Sequence, residues 1–481
     1  MLIKTSLLTL SILSILTGCA VGPEYKTEPS PIAKQFISQS VLENKSVGGK
    51  VDLRSWWTKF GDDLLTRYIN VALKQNLDLA QATARLDQAK AVLGNANAAL
   101  LPSADITGQA ARTYQSIETP IGQVLNSTPN FDRYGNYYET NLNTSWELDL
   151  FGALRRGKEA AMAEYQATEA GVVATQLAVI AETATIYINI RTIQARLEIA
   201  HKQVETQQEM FDLTKLLYNK GLASEREENQ VYATLTQYQA VIPTLEASLD
   251  SALYAFDVIL GTPPGTHRNE LLITAPIPDT PAIIELGSPN ELLTRRPDLI
   301  MAEKRLVAAT ANIGVAMAEY YPKLSLNGLL GSATSISGGN LFTNDANQAT
   351  AAVGLRWRLF DFARIEAEIE HAKGKKAEAL ATYKLAVLRA TEDVESAFSN
   401  FLRLETKVSL LSQSLGALTN ARNASFSAYQ HGTSSMLEVL KVDESLLLTS
   451  DSQILAQAQS VKAAITTFKA LGGDWQVPRV Q

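Results

Sequence analysis

The stretch ALRRGKEAAMAEYQATEAGVVATQLAVIAETATIYINIRTIQARLEIAHKQVETQQEMFDLTKLLYN runs from Ala153 to Asn219. It holds no proline, and glycine only at Gly157 and Gly171, so nothing in it stops a helix. Its second half places apolar or small residues alternately three and four apart. These are Ile186, Ile190, Ile193, Leu197, Ala200, Val204 and, after a skip at Gln207, Phe211. An average spacing of about 3.5 residues is a coiled-coil seam, not the broader stripe of a globular helix. At about 1.5 Å per residue the helix is a rod of roughly 100 Å.

The seam occurs twice. Shifted by 211 positions it becomes Ala397, Phe401, Leu404, Val408, Leu411, Leu415, Leu418 and Arg422. The register survives although the identities do not, so the chain reads as two copies of one long-rod unit. Trp357, Gly432 and Gly472 repeat Trp146, Gly221 and Gly261 at the same offset. Asp298, Arg305 and Pro322 repeat Asp78, Arg85 and Pro102 at an offset of 220. The mismatch of nine puts a longer inter-strand loop in the first copy, near Ile117 to Arg133.

Composition narrows the class. Aromatic content of 7% is low and alanine is abundant, which suits closely packed helices. The net charge of −7 becomes −8 without the first 18 residues, whose one charge is Lys4. That balance argues against nucleic acid as a partner. No unbroken run of 18 apolar residues occurs, which argues against a spanning helix. Lys4, the apolar Leu7 to Leu16 and the small residues before Leu16-Thr17-Gly18-Cys19 read as a signal peptide, residues 1–18. Cys19 is the only cysteine, so no intramolecular disulfide exists. The Leu-Thr-Gly-Cys pattern resembles a bacterial lipobox, which implies cleavage before Cys19 and a covalent lipid on it. Ala20 rather than aspartate follows, which by that resemblance favours the outer membrane.

In order, residues 19–50 read as an extended tether, followed by a short amphipathic helix around Trp56 to Lys74. The first repeat, 77–261, opens with a helix from Leu77 to Leu101, closed by Pro102. Strands are expected at about 103–116 and 137–150, then the long helix 153–219 and a return helix 224–260 that Pro243 should kink or locally loosen. Residues 262–296 hold most of the remaining prolines and read as an irregular linker. The second repeat, 297–472, should carry a helix, strands at about 323–334 and 350–360, a long helix 363–429 and a return helix 434–471. Residues 473–481 form a tail.

The strands suggest a membrane. Tyr138, Leu142, Trp146 and Leu148 alternate with Glu139, Asn141, Asn143 and Glu147, and the polar faces also carry Asp149, Arg356 and Arg358. An apolar face on lipid and a polar face on water is the pattern of a membrane barrel. Four strands cannot close one, and an open edge cannot stand in hydrocarbon. Three copies supply 12. The competing reading is a soluble sheet with one buried face; for the rods, it is a solid coiled-coil stalk. The four histidines, His201, His267, His371 and His431, are scattered, and no P-loop, nucleophile elbow or dinucleotide fingerprint appears. The reading is therefore not an enzyme, with no metal site and no cofactor beyond the lipid.

Several stretches resemble one family. Cys19-Ala-Val-Gly-Pro-Glu-Tyr, Trp146-Glu-Leu-Asp-Leu-Phe-Gly and Trp357-Arg-Leu-Phe-Asp-Phe are three. Arg295-Arg-Pro-Asp-Leu-Ile-Met-Ala-Glu-Lys-Arg-Leu, Ala311-Asn-Ile-Gly-Val-Ala and Tyr321-Pro-Lys-Leu-Ser-Leu are the others. Together they look like the TolC-like outer-membrane efflux proteins in their NodT-type lipoprotein branch. The resemblance implies a mainly α chain that trimerises into a 12-stranded β-barrel continued by a long periplasmic α-helical barrel. It also implies an equatorial belt, here residues 51–76, 262–296 and the tail. The implied setting is the outer membrane of a Gram-negative bacterium, with Cys19 lipid-anchored and a large periplasmic part. The implied partners are a periplasmic membrane-fusion adaptor and an inner-membrane efflux transporter of RND type. The implied activity is passive conduction of drugs or other small molecules. Alternatives are a duct for type I protein secretion and a non-conducting structural lipoprotein.

The resemblance also marks the helical tips as adaptor contacts: Gly221, Ser224 and Glu227 in the first, Gly432, Ser435 and Glu438 in the second. The first tip departs from the family pattern, having Arg226 and Glu228 where apolar residues flank the acidic position. No acidic residue lies between Glu405 and Glu438, so an acidic entrance ring is not carried over. By helical spacing Arg422 and Phe426 become candidates to line the constriction, with a packing role as the alternative. Arg226, within Glu225-Arg226-Glu227-Glu228, is a candidate to hold the closed state through contacts between neighbouring hairpins, with a merely solvated turn as the alternative.

Overall fold

The computed structural model describes residues 20–27, 29, 36, 37, 55–281 and 289–473. The expectations about the signal peptide, Cys19 and residues 474–481 lie outside them.

A 3₁₀ turn, Trp56–Phe60, precedes α1 (Asp63–Gln75) and α2 (Leu77–Ala98). Strand β1 (Ser103–Tyr114), α3 (Pro120–Asn126) and β2 (Tyr134–Leu148) follow. Then come α4 (Ala153–Asn219) and α5 (Glu225–Ile259). Two short helices, α6 (Arg268–Leu271) and α7 (Pro289–Arg295), lead to α8 (Pro297–Ala318). The second repeat continues with β3 (Lys323–Thr334), β4 (Asn347–Arg356), α9 (Phe362–Gln430) and α10 (Met436–Ala470).

Several expected boundaries change. The helix sought around Trp56 to Lys74 is two elements, because Gly61 adopts a left-handed φ of 65° and Asp62 restarts the helix by accepting from the Leu65 amide. α2 stops at Ala98, and Leu100 and Leu101 are tied by turn bonds to Asn97 and Ala98. The inter-strand loop contains α3, begun by a Thr119 cap and Pro120. The stretch 262–296 holds α6 and α7 rather than being wholly irregular. β4 covers Asn347–Arg356 and not 350–360, since Trp357 turns its indole to the Tyr320 carbonyl and Phe360 takes a φ of 64°. α5 continues through Pro243 without a break.

The chain divides into two compact units. Among the described residues, the first combines 20–27, 87–167 and 303–382 and contains the sheet, order β1-β2-β3-β4, antiparallel throughout. Repeat-related tryptophans brace its strands alike: Trp146 Nε1 donates to the Leu100 carbonyl and Trp357 Nε1 to that of Tyr320, both at 3.0 Å. α4 and α8 pack through Ala160, Ala163, Ala308 and Ala311, small residues that let two helices approach closely.

The second unit comprises, among the described residues, 29, 36, 37, 55–86, 168–281, 289–302 and 383–473. Its core stacks Trp56 on Phe468 at 5.3 Å and buries Arg191, which donates to Tyr187, Gln194 and the Ile273 carbonyl. α4 includes an 18-residue window apolar enough to cross a bilayer, but half of that window is buried within the protein. Its apolar content serves helix packing.

Candidate functional site

Two surfaces carry the chemistry, and the sheet is the first. The register aligns Ile106, Leu142, Leu330 and Ala349 across all four strands. The next row on that face is Ala104, Thr144, Gly328 and Ala351; beyond it come Trp146, Leu326 and Val353, then Leu148, Leu324 and Leu355. Ile106, Leu330, Val353 and Leu355 are each more than 60% exposed, so the face is largely apolar, of a kind water-soluble surfaces avoid.

The residues between them face the other way and bond to one another. Asn143 Nδ2 donates to Asp105 at 3.2 Å and to Thr107 at 3.1 Å. Ser145 donates to Asn327 Oδ1 at 3.0 Å, and Gln348 Nε2 to Asn141 Oδ1 at 2.8 Å. The sheet thus has one greasy face and one amide-rich face. Among the described residues, the outer edges of β1 and β4 pair with no strand.

Asp149 and Arg358, expected on the polar strand faces, lie just beyond the strands. Asp149 caps α4, accepting from the Leu154 and Arg155 amides at 3.1 and 2.9 Å. Arg358 joins Asp361, Glu319 and Glu368. Both serve the strand-to-helix joints.

The helical tips are the second surface. Gly221 and Gly432 take φ of 68° and 72° and end α4 and α9. In each turn the glycine amide bonds three residues back, to Tyr218 or Tyr429, at 2.9 Å. The next amide, of Leu222 or Thr433, bonds five back, to Leu217 or Ala428, also at 2.9 Å. That pairing satisfies carbonyls a helix end leaves open. Ser224 and Ser435 then cap α5 and α10, accepting from the amides of Glu227 and Glu438.

The side chains differ. Glu227 closes a capping box on the Ser224 amide at 2.8 Å, and that bond, with the Ser224 hydroxyl and the charge of Arg226, holds its carboxyl below the usual range. Glu438 instead accepts from the Ser434 hydroxyl. Arg226 is exposed.

The structure places Arg422 and Phe426 in a packed layer within one chain. Met210, Val231, Met436, Val439 and Leu440 form a buried cluster, with Phe426 and Tyr429 against it. Arg422 Nε donates to Asp443 Oδ1 at 3.1 Å, and its guanidinium lies 4.9 Å from the Phe426 ring centroid. Asp443 is buried; desolvation pushes its carboxyl up and Arg422 only partly offsets this. Gln207 is fully buried with both amide atoms unpaired, and one Asp443 oxygen is likewise unpaired. Sequence reasoning missed Asp443 and Gln207, although the skip in the seam at Gln207 was the available signal.

A profile of the outer membrane efflux protein family matches residues 68–262 and 288–473. Nodulation protein T of Rhizobium leguminosarum bv. trifolii is 30% identical over 465 residues, 96% of each chain. The toluene efflux pump outer membrane protein TtgI of Pseudomonas putida is 28% identical, covering 98% of this chain and 99% of its own. Among solved structures, the outer-membrane channel OprN superposes with a TM-score of 0.85 at 29% identity, over 95% of this chain and all of that one.

Proposed function

The chain belongs to the outer membrane efflux protein family, and on that premise we propose that it is the exit duct of a tripartite efflux pump. The observation that carries this reading is the two-faced sheet with free outer edges on β1 and β4. In hydrocarbon every backbone amide and carbonyl needs a partner, so the β4 edge of one copy pairs with the β1 edge of the next. Three copies close a 12-stranded barrel, its apolar rows on lipid and its Asn/Ser/Thr/Gln lattice on the lumen. The paired long helices continue the duct into the periplasm as a helical barrel.

Conduction is passive, and the duct takes no cofactor. A wall of amides and hydroxyls, interspersed with charges of both signs at Asp105, Glu139, Glu147 and Arg356, offers passing solutes hydrogen bonds that water also offers, which suits a duct for varied small molecules. The relation to a toluene efflux protein supports that class of cargo. The tips around Gly221, Ser224, Glu227, Gly432, Ser435 and Glu438 are the adaptor contacts, an RND-type transporter drives transport, and Cys19 carries the lipid anchor. Deletion of the gene, tested against a broad panel of toxic compounds, checks the reading. Sensitivity restored by the intact chain is the expected result; unchanged tolerance together with loss of one exported protein points to protein secretion instead.

A further inference from the structure

Three motifs far apart in the chain meet in the first unit, and the exit duct leaves their meeting unexplained. The Val21 amide donates to the Phe151 carbonyl at 3.1 Å. Arg156 donates from Nε to the Val21 carbonyl at 3.2 Å and from Nη2 to that of Gly22 at 3.4 Å. The Tyr25 hydroxyl donates to Glu303 Oε1 at 3.0 Å. Residues 20–25 therefore touch both the start of α4 and the body of α8.

Three glycines make the fit possible. Gly22 has a φ of 97°, and a Cβ there would lie 2.4 Å from Gly314 Cα. A Cβ at Gly314 would lie 2.8 Å from the Val21 oxygen and 2.9 Å from Arg156 Cγ. At Gly152, with φ of 83°, it would meet Ala20 Cα at 2.7 Å. Backbone rests on backbone at each point, a closeness only glycine allows. Arg156 is 6% exposed, so the strap carbonyls satisfy a buried guanidinium whose other partner is Glu159.

We infer that residues 20–25 are a latch: seated, they clamp the start of α4, in the first repeat, to α8, in the second. They also fix where the chain leaves for the acylated Cys19, at Ala20 against Gly152, four residues past the end of β2. Only this anchoring part rests on the proposed acylation. The latch turns the head of the expected tether into part of the wall, so a pull on the lipid reaches the joint between strands and helices.

The test uses the full chain in outer membranes. A photocrosslinker, p-benzoylphenylalanine, at position 25 is expected to label α8, and to do so equally in a Cys19→Ser background. In Gly314→Val the labelling falls on the order of tenfold while palmitate incorporation is unchanged. The dissociation temperature of the SDS-resistant oligomer drops by roughly 5–10 °C. Gly22→Ala probes the same contact from the strap side and is expected to act alike if Gly314→Val fails to accumulate. Cross-linking lost with oligomer stability unchanged, or no α8 labelling in the otherwise native chain, overturns the latch. An otherwise native chain that takes up no palmitate overturns the acylation reading alone.

Discussion

The two helical tips share a backbone and differ in chemistry. Gly221 and Gly432, Ser224 and Ser435, and the paired turn bonds coincide at the 211-residue offset. Yet Glu225 and Arg226 of the first tip are exposed, whereas Met436 and Val439 of the second are 5% and 0% exposed in a shared core with Met210 and Val231. The turn is specified by glycine, serine and a glutamate; what it does is set by the residues between. The first tip opens on solvated charges, whereas the second sends Met436 and Val439 into a core shared with the first hairpin and leaves Leu437, the counterpart of Arg226, 67% exposed.

If the second tip is the packed one, its variants should cost most. Arg422→Ala strands the buried Asp443, and about 3 kcal/mol of local stability is expected to disappear. Hydrogen exchange of the α9–α10 hairpin reads this, and the double variant Arg422→Met, Asp443→Leu should recover most of it. Met436→Ala should cost about 2 kcal/mol in the same assay by opening a cavity in the cluster. Gly221→Ala and Gly432→Ala should each cost about 1 kcal/mol through the left-handed φ alone, because a Cβ at either position meets nothing within 4 Å. Unequal losses at the two glycines would break the claim that the tips share one backbone.

Arg226→Ala should leave stability within about 0.5 kcal/mol. It is expected to lower the closed fraction in bilayer conductance if charged contacts between hairpins hold the duct shut; an unchanged fraction ends that idea.

Acidity should separate the tips as well. Glu227 titrates below its ordinary value of 4.5, so its contribution is present above that pH and is lost as pH falls through the lowered value. Asp443 is raised above 3.8 by burial, so the folded state binds its proton more tightly. Its contribution grows as pH falls through the raised value and levels off below 3.8. Exchange measured down the pH scale should show the first tip loosening while the second tightens, and Asp443→Asn should flatten the second response.

Periodicity made the repeats legible. Trp146 and Trp357 stand at one offset, and the structure gives both the same bond to a helix-end carbonyl. The long helix at Ala153–Asn219 was readable because 67 residues average out local exceptions. α3 was not, since seven residues carry less than two turns of pattern. Arg422 was ambiguous because helical spacing marks a face without saying what covers it; its partner Asp443 lies on another helix, 21 residues away. Gln207 looked like an interruption of an apolar seam, yet it is a buried polar residue within it.

The four-stranded sheet has a genetic consequence. If each copy supplies a third of a closed wall, a subunit with a damaged β1 or β4 edge does more than lose its own activity; it spoils the rings it enters. Expressed in equal amounts beside intact chains, it leaves only about one ring in eight wholly intact, by random assortment into trimers. An edge-strand proline should therefore act as a dominant trait, and a deletion as a recessive one.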